Sequence, residues 1–323
     1  MTARAVTITW PDYRVETASL GGALRDVGLE PRLAPKRGAR GPGELKRLLD
    51  GAVGAIVSTD PFDADVLRAA PDLRVIARVG VGTDSIDLAA ATRHGVVVTV
   101  TPGANEATVA EHTIALMLAL VRRICEQNAS ARRGEWNRTG PHVPGSLGGS
   151  TVGLVGYGRI GRLVARMLRG FDVQLLATDP TVTDADVALV DLPELLARSD
   201  VVSLHAPLEP STAGLIGAHE LQAMRPGAVL VNTARGGMVD ERALLDALRS
   251  GHLGGAALDV FVEEPPLGNE LLALPNVVAT AHVAGLSERS IDEMTQRATA
   301  SVVDVVAGRR PTDVANPAVF DGD

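Results

Sequence analysis

The sequence has a single cysteine, Cys125, so it can form no internal disulfide and no cysteine-based metal site. It has two lysines, Lys36 and Lys46, which leaves little room for Schiff-base or Walker-type chemistry. Positive charge is not in excess. A net charge of −8 argues against nucleic acid as a partner, because that needs a basic face. No uncharged run reaches about 18 residues, so no segment reads as a membrane span. The opening MTARAVTITW soon meets Pro11 and Asp12, an apolar run too short for a signal peptide. No histidine–carboxylate spacing resembles a metal site. What is present is a 46% hydrophobic, 22% charged chain of 323 residues. That composition fits a soluble globular protein of about two domains, each with its own core, and a cytoplasmic location is expected.

The chain is organised around Thr151 to Asp179, TVGLVGYGRIGRLVARMLRGFDVQLLATD. Thr151 to Val155 is an uncharged, Val-rich run, as in a strand buried on both faces. Gly156-Tyr157-Gly158-Arg159-Ile160-Gly161 follows. Leu163, Val164, Met167 and Leu168 then fall at helical spacing, and Val173 to Ala177 reads as a second strand ending at Thr178 and Asp179. In such a unit Gly156 allows the tight turn, Gly158 lets backbone approach a pyrophosphate, and Gly161 lets helix and strand pack closely. The helix N-terminus faces the phosphates. Asp179, 18 residues beyond Gly161, is placed to bond a ribose 2′-hydroxyl and to repel a 2′-phosphate. Pro180 and Thr181 follow it, with no arginine nearby to take that phosphate. The pattern therefore predicts NAD rather than NADP.

Residues 1 to about 100 alternate strands (5–10, 29–33, 55–58, 75–78, 96–100) with helices (about 17–27, 44–50, 63–69, 86–93), which predicts a parallel sheet covered on both faces. The loop Arg78 to Ser85, RVGVGTDS, follows a strand and precedes a helix. Its glycine-flanked amides can receive a carboxylate or phosphate, although an ordinary βα turn accounts for it as well. Beyond Asn105 one long helix is expected over about 106–133, with Val109, Ile114, Leu118 and Val121 on its apolar face and Gly134 ending it. His112 within it reads as structural. Gly140 to Gly149 is a loop. Further strands are expected at 201–204, 228–233, 256–260 and 277–280, giving six in the second sheet, with a helix at 241–250. The last helix, about 287–307, returns to the first domain.

Three groups sit at or beyond strand ends of the second sheet, the ligand-binding edge: Arg235, Glu264 and His282. An arginine fork matches a carboxylate. A histidine exchanges a proton near neutral pH, and a neighbouring carboxylate fixes its tautomer and favours its charged form. Together they suit hydride transfer between NAD and a 2-hydroxy or 2-oxo acid. His205 also ends a strand and could line the cofactor cleft. His94, His142, His219 and His252 read as surface residues.

The segments RVGVGTDSID (78–87), VAEHTIALML (109–118), VGLVGYGRIG (152–161), VNTARGGMVDE (231–241), ALDVFVEEPP (257–266) and TAHVAG (280–285) resemble the D-isomer-specific 2-hydroxyacid dehydrogenase family, in particular its phosphoglycerate dehydrogenase-like branch. The resemblance implies an α/β protein of two doubly wound, Rossmann-like parallel-sheet domains with the active site in the cleft between them. The substrate domain (1–100 and 286–323) would be flavodoxin-like and discontinuous, and 101–285 would bind NAD. It implies Arg235 for the substrate carboxylate and keto oxygen, His282 as acid–base and Glu264 as its support. Main chain at Val81 and Gly82 would hold the carboxylate. Asp259 would contact the nicotinamide carboxamide. The cofactor set is completed by Gly156, Gly158, Arg159, Ile160, Gly161, Asp179, Ala206, Thr233, Ala234, His282, Ala284 and Gly285. A homodimer built on the 106–133 region is implied as well.

The sequence departs from the family where Ala281 replaces the common Pro before the histidine and Ser85 a common Asn. The stretch Ser58 to Asp63 has no basic group and two acids, which would repel a substrate phosphate. The chain also ends soon after the last helix, without a regulatory serine-binding module. Both points weaken 3-phosphoglycerate as substrate. The same fold and triad serve phosphonate- or phosphite-type dehydrogenases and non-catalytic NAD-sensing corepressors, and both stand as alternatives.

Overall fold

The structure, a computed structural model, describes residues 4–13, 20–36, 40–136, 138–140 and 143–321. Residues 17–19 of the first expected helix and His142 lie outside them. The chain divides into two compact units, Met1–Asn105 with Leu286–Asp323, and Glu106–Gly285. Among the described residues no helix is long and apolar enough to cross a membrane.

The first unit holds a parallel sheet of β1 (Arg4–Ile8), β2 (Leu29–Leu33), β3 (Ala52–Val57), β4 (Val75–Arg78) and β5 (Val97–Thr99), in the order β2-β1-β3-β4-β5. β3 and β4 are buried at every position, as strands covered on both faces must be, whereas edge strand β2 exposes most of its residues. The crossovers are α1 (Leu20–Asp26), α2 (Pro42–Leu48), α3 (Ala64–Arg68) and α4 (Leu88–Arg93). Asp63 and Asp87 cap α3 and α4 by accepting the amides of Val66 and Ala90. The C-terminal helix α11 (Glu288–Val306) starts at the capping residue Ser287 and packs Met294, Ala298 and Val302 into the core with Val6, Ile8 and Val75.

The second unit holds β6 (Thr151–Val155), β7 (Gln174–Thr178), β8 (Ala188–Leu189), β9 (Val201–Leu204), β10 (Val229–Asn232), β11 (Gly255–Leu258) and β12 (Val277–Ala279), all parallel, in the order β12-β11-β10-β9-β6-β7-β8. The seventh strand, absent from the sequence reading, is β8. It has two exposed residues on the sheet edge and so no apolar run to announce it. One face is covered by α8 (Leu192–Arg198), α9 (Ala218–Ala223) and α10 (Glu241–Arg249), the other by α5 (Glu106–Val121) and α7 (Arg159–Leu168). Strand order reverses between β6 and β9, the switch point at which such sheets bind ligands beyond their C-terminal ends.

The long helix expected over 106–133 is two helices, α5 and α6 (Ile124–Arg132). Arg123 adopts a left-handed conformation, φ 51°. The Val121 carbonyl accepts the Gly145 amide at 3.0 Å instead of the amide four residues on, so the returning loop ends the first helix. Gly134, at φ 78°, follows the end of the second.

Candidate active site

The β6–α7 turn is built by close backbone contact. Gly156 has φ 97°, and a Cβ there would lie 2.6 Å from the Ala206 amide, so the turn after β6 sits directly on the chain leaving β9. A Cβ on Gly161 would lie 2.3 Å from the Gly156 carbonyl oxygen. Around Gly158, by contrast, a Cβ would meet nothing. Gly158 is also the N-cap of α7 and has no side chain to satisfy the first-turn amides at Arg159 and Ile160. An open approach to unsatisfied donors at a helix start fits the pyrophosphate of a dinucleotide.

Asp179 stands at the tip of β7. One of its oxygens accepts the Tyr157 amide at 2.8 Å, and the other accepts the amide and hydroxyl of Thr181 at 2.9 and 2.8 Å. Burial raises its pKa, but these bonds and the Val182 amide outweigh it and hold the carboxyl below its ordinary value. Arginines do reach the segment that follows Asp179, although none bonds Asp179 itself among the described contacts. Arg162 of α7 donates to the Asp184 carbonyl at 2.9 Å, and Arg169 pairs with Asp186. The sequence conceals this because the partners lie 22 and 17 residues apart.

Further along the same edge, β10, β11 and β12 deliver Arg235, Asp259 and His282. His282, at φ 53°, places Nδ1 2.7 Å from Glu264 Oε2. Glu264 Oε1 accepts the Phe261 amide at 3.1 Å, so both carboxylate oxygens are engaged. Burial raises the Glu264 pKa. The bond from His282, its charge and the Phe261 amide outweigh this, and the net shift is downward. The Arg235 carbonyl accepts from Asn232 Nδ2 at 2.8 Å, and its guanidinium donates to the Ala234 carbonyl at 2.7 Å. Gly236 presses against the next loop. A Cβ there would lie 2.0 Å from the Phe261 carbonyl carbon, so the arginine turn and the glutamate turn meet backbone to backbone.

Asp259 is buried and accepts from the Thr280 hydroxyl (2.6 Å), the Val283 amide (2.9 Å) and the Ala284 amide (2.9 Å). A carboxylate has about four acceptor positions, so one remains, on Oδ2. Thr233 is buried with its hydroxyl 2.8 Å from that of Thr113. His112, expected to be structural, has its Nε2 3.1 Å from Thr280 Oγ1 and 3.7 Å from Asp259 Oδ1. His205 follows β9 beneath the glycine turn. Its Nε2 is buried without a hydrogen-bond partner among the described residues, and burial pushes its pKa down to about 4. His94 and His219 are exposed, whereas His252 is half-buried and bonds the Leu221 carbonyl at 3.1 Å.

Val81 and Gly82 lie in the first unit, beyond β4. The buried Arg78 donates to the carbonyls of Val79 and Gly82, which turns these acceptors inward. Among the described residues the Val81 and Gly82 amides have no intramolecular acceptor. The loop Ser58 to Asp63 is less repulsive to an anion than its sequence suggests. Asp60 is buried against Arg40 at 3.0 Å, Asp63 caps α3, and Lys36 Nζ reaches Thr59 at 2.8 Å.

Residues 114–284 match the family model described as "D-isomer specific 2-hydroxyacid dehydrogenase, NAD binding domain". The chain is 37% identical to a glycerate dehydrogenase of Methylorubrum extorquens over 303 residues, which covers 91% of this chain and 96% of that one. It is 45% identical to a D-3-phosphoglycerate dehydrogenase of Archaeoglobus fulgidus over 233 residues, 70% of this chain but only 44% of that longer protein. A crystal structure of a protein from Thermus thermophilus superposes with a TM-score of 0.88 at 39% identity, over 96% of this chain and 99% of that one. The chain belongs to the D-isomer-specific 2-hydroxyacid dehydrogenases, NAD-dependent oxidoreductases, and contains their NAD-binding domain.

Proposed function

We propose that the protein interconverts a small 2-oxo acid and its D-2-hydroxy acid, with His282 as acid–base, Glu264 as its support and Arg235 as carboxylate anchor. The observation that carries this reading is the 2.7 Å His282–Glu264 contact on the sheet edge that also bears Arg235 and the glycine turn. When bound, the nicotinamide supplies or takes the hydride at the substrate's second carbon. Because Glu264 engages Nδ1, Nε2 is the atom that gives a proton to the substrate oxygen in reduction and takes it back in oxidation. The Arg235 fork holds the carboxylate and stabilises charge on that oxygen.

The first unit is the substrate domain in this reading, and the Val81 and Gly82 amides are its donors to the carboxylate. The protein acts in the cytoplasm as a homodimer. Support for the dimer comes from Ile124, Trp136 and Val143, large apolar side chains that are 52%, 78% and 57% exposed.

The test is NADH oxidation over a panel of glyoxylate, pyruvate, hydroxypyruvate and 3-phosphohydroxypyruvate, with glycolate and both enantiomers of the chiral hydroxy acids in the reverse direction. Turnover of at least one oxo acid is expected, and of the chiral hydroxy acids only the D enantiomer should be oxidised. Tight NADH binding with no turnover of any acid would overturn the reading.

A further inference from the structure

Tyr157 occupies the variable position between the first two glycines of the turn, yet it is the most heavily tied residue there. Its ring is fully buried. Its amide holds Asp179 Oδ2 at 2.8 Å, and its hydroxyl donates to Asp186. The two ends of the segment 179–186, which leaves the ribose-facing tip of β7, are therefore fastened to one side chain and its own backbone. Arg169 pairs with the same Asp186. Arg162 lies over the Tyr157 ring at 4.8 Å and donates to the Asp184 carbonyl at 2.9 Å, so its cation is held on the tyrosine and on the fastened segment.

This arrangement bears on cofactor choice. A 2′-phosphate is taken up by arginine and repelled by a carboxylate at the strand tip. The second unit has the carboxylate, Asp179, and it also has an arginine within reach of the same segment. We infer that Tyr157 and Asp186 are positioning residues for cofactor selectivity: their bond keeps the 179–186 segment closed on Arg162 and thereby withholds that arginine from a 2′-phosphate. The inference rests on the assignment of NAD to this site and adds a second determinant to Asp179. Neither residue touches the reacting atoms, so turnover should be spared when the bond is broken.

Two substitutions remove the same bond, and the second also releases Arg169 from Asp186. Tyr157→Phe deletes only the hydroxyl. Asp186→Ala removes the acceptor on a side chain that is 57% exposed, so the fold should tolerate it. The measurement is kcat/KM for NADH and for NADPH on one oxo acid, in wild type, both single variants and the double variant. Wild type should prefer NADH. Each single variant should lower the NADH-to-NADPH ratio by about tenfold, the scale of one charge-assisted contact, mainly through KM for NADPH. The double variant should add little, because both changes break one interaction. Adding Arg162→Ala to Tyr157→Phe, which leaves the Arg169–Asp186 pair in place, should restore the wild-type ratio, whereas a purely structural role would leave that arginine irrelevant.

An unchanged ratio in both single variants overturns the inference, as does a gain in NADPH use that survives Arg162→Ala. Both outcomes leave the NAD assignment standing. A wild-type enzyme that prefers NADPH would overturn the inference together with the reading of Asp179.

Discussion

Thr280 donates its one hydroxyl proton to Asp259 at 2.6 Å, and this decides how it meets His112. An ionised carboxylate can only accept, so the hydroxyl oxygen facing His112 Nε2 at 3.1 Å must itself be the acceptor. His112 therefore carries its proton on Nε2. A helix of the second unit, the strand end that precedes His282 and the buried aspartate are joined in one chain of donors.

Thr280→Val keeps the shape and breaks this chain. Asp259 loses a donor while buried, and His112 loses its acceptor. We expect a destabilisation of about 1–3 kcal/mol, the range for leaving a buried polar group short of a partner. Urea unfolding measures it, and a cost below about 0.5 kcal/mol would show that the three groups do not act together.

Arg235→Ala should damage substrate use and spare cofactor binding. Losing the carboxylate's fork should cost about 2–5 kcal/mol in kcat/KM. NADH affinity, measured by fluorescence titration, should stay near wild type. Collapse of NADH binding with intact substrate kinetics would make Arg235 a cofactor residue.

His205 gives a pH-dependent prediction. Its pKa falls from 6.5 to about 4 in the fold because the ring is buried. The unfolded chain therefore binds the proton first as pH falls. The neutral ring's contribution to stability is complete above the unfolded value and is lost between about 6.5 and about 4. His205→Gln should flatten that limb. Between about pH 7 and 4.5 wild type should lose on the order of 1–3 kcal/mol more than the variant in urea unfolding. Parallel losses would mean that His205 titrates normally.

Much of this site is legible in sequence because parallel strands buried on both faces are written as unbroken apolar runs. β4, β6 and β9 lie where those runs place them, and Arg235, Glu264 and His282 follow strands and so arrive on one edge. What escapes reading is set by distant partners. Arg123 breaks the long helix because a loop amide at Gly145 takes its carbonyl neighbour's bond. His112 meets Thr280 across 168 residues, and no helical periodicity reports that. Lys36 and Arg40 come to the Ser58–Asp63 loop from beyond a different strand, and the local sequence shows only its acids.

The most direct test of the account is the pH dependence of the reductive and oxidative rates in His282→Asn and Glu264→Gln. Removing the imidazole should lower turnover by about 10²–10⁴-fold while NADH still binds, since the β6–α7 turn proposed to hold the pyrophosphate is untouched. Glu264 is ionised at neutral pH, its pKa being depressed, and its charge favours imidazolium. In the proposed reaction reduction uses the protonated ring, so its rate should fall as pH rises, and oxidation uses the neutral ring, so its rate should fall as pH drops. In Glu264→Gln the alkaline limb of reduction should move to lower pH with the fold intact. Wild-type turnover in His282→Asn, or a Glu264→Gln profile that coincides with wild type, would contradict the acid–base pair.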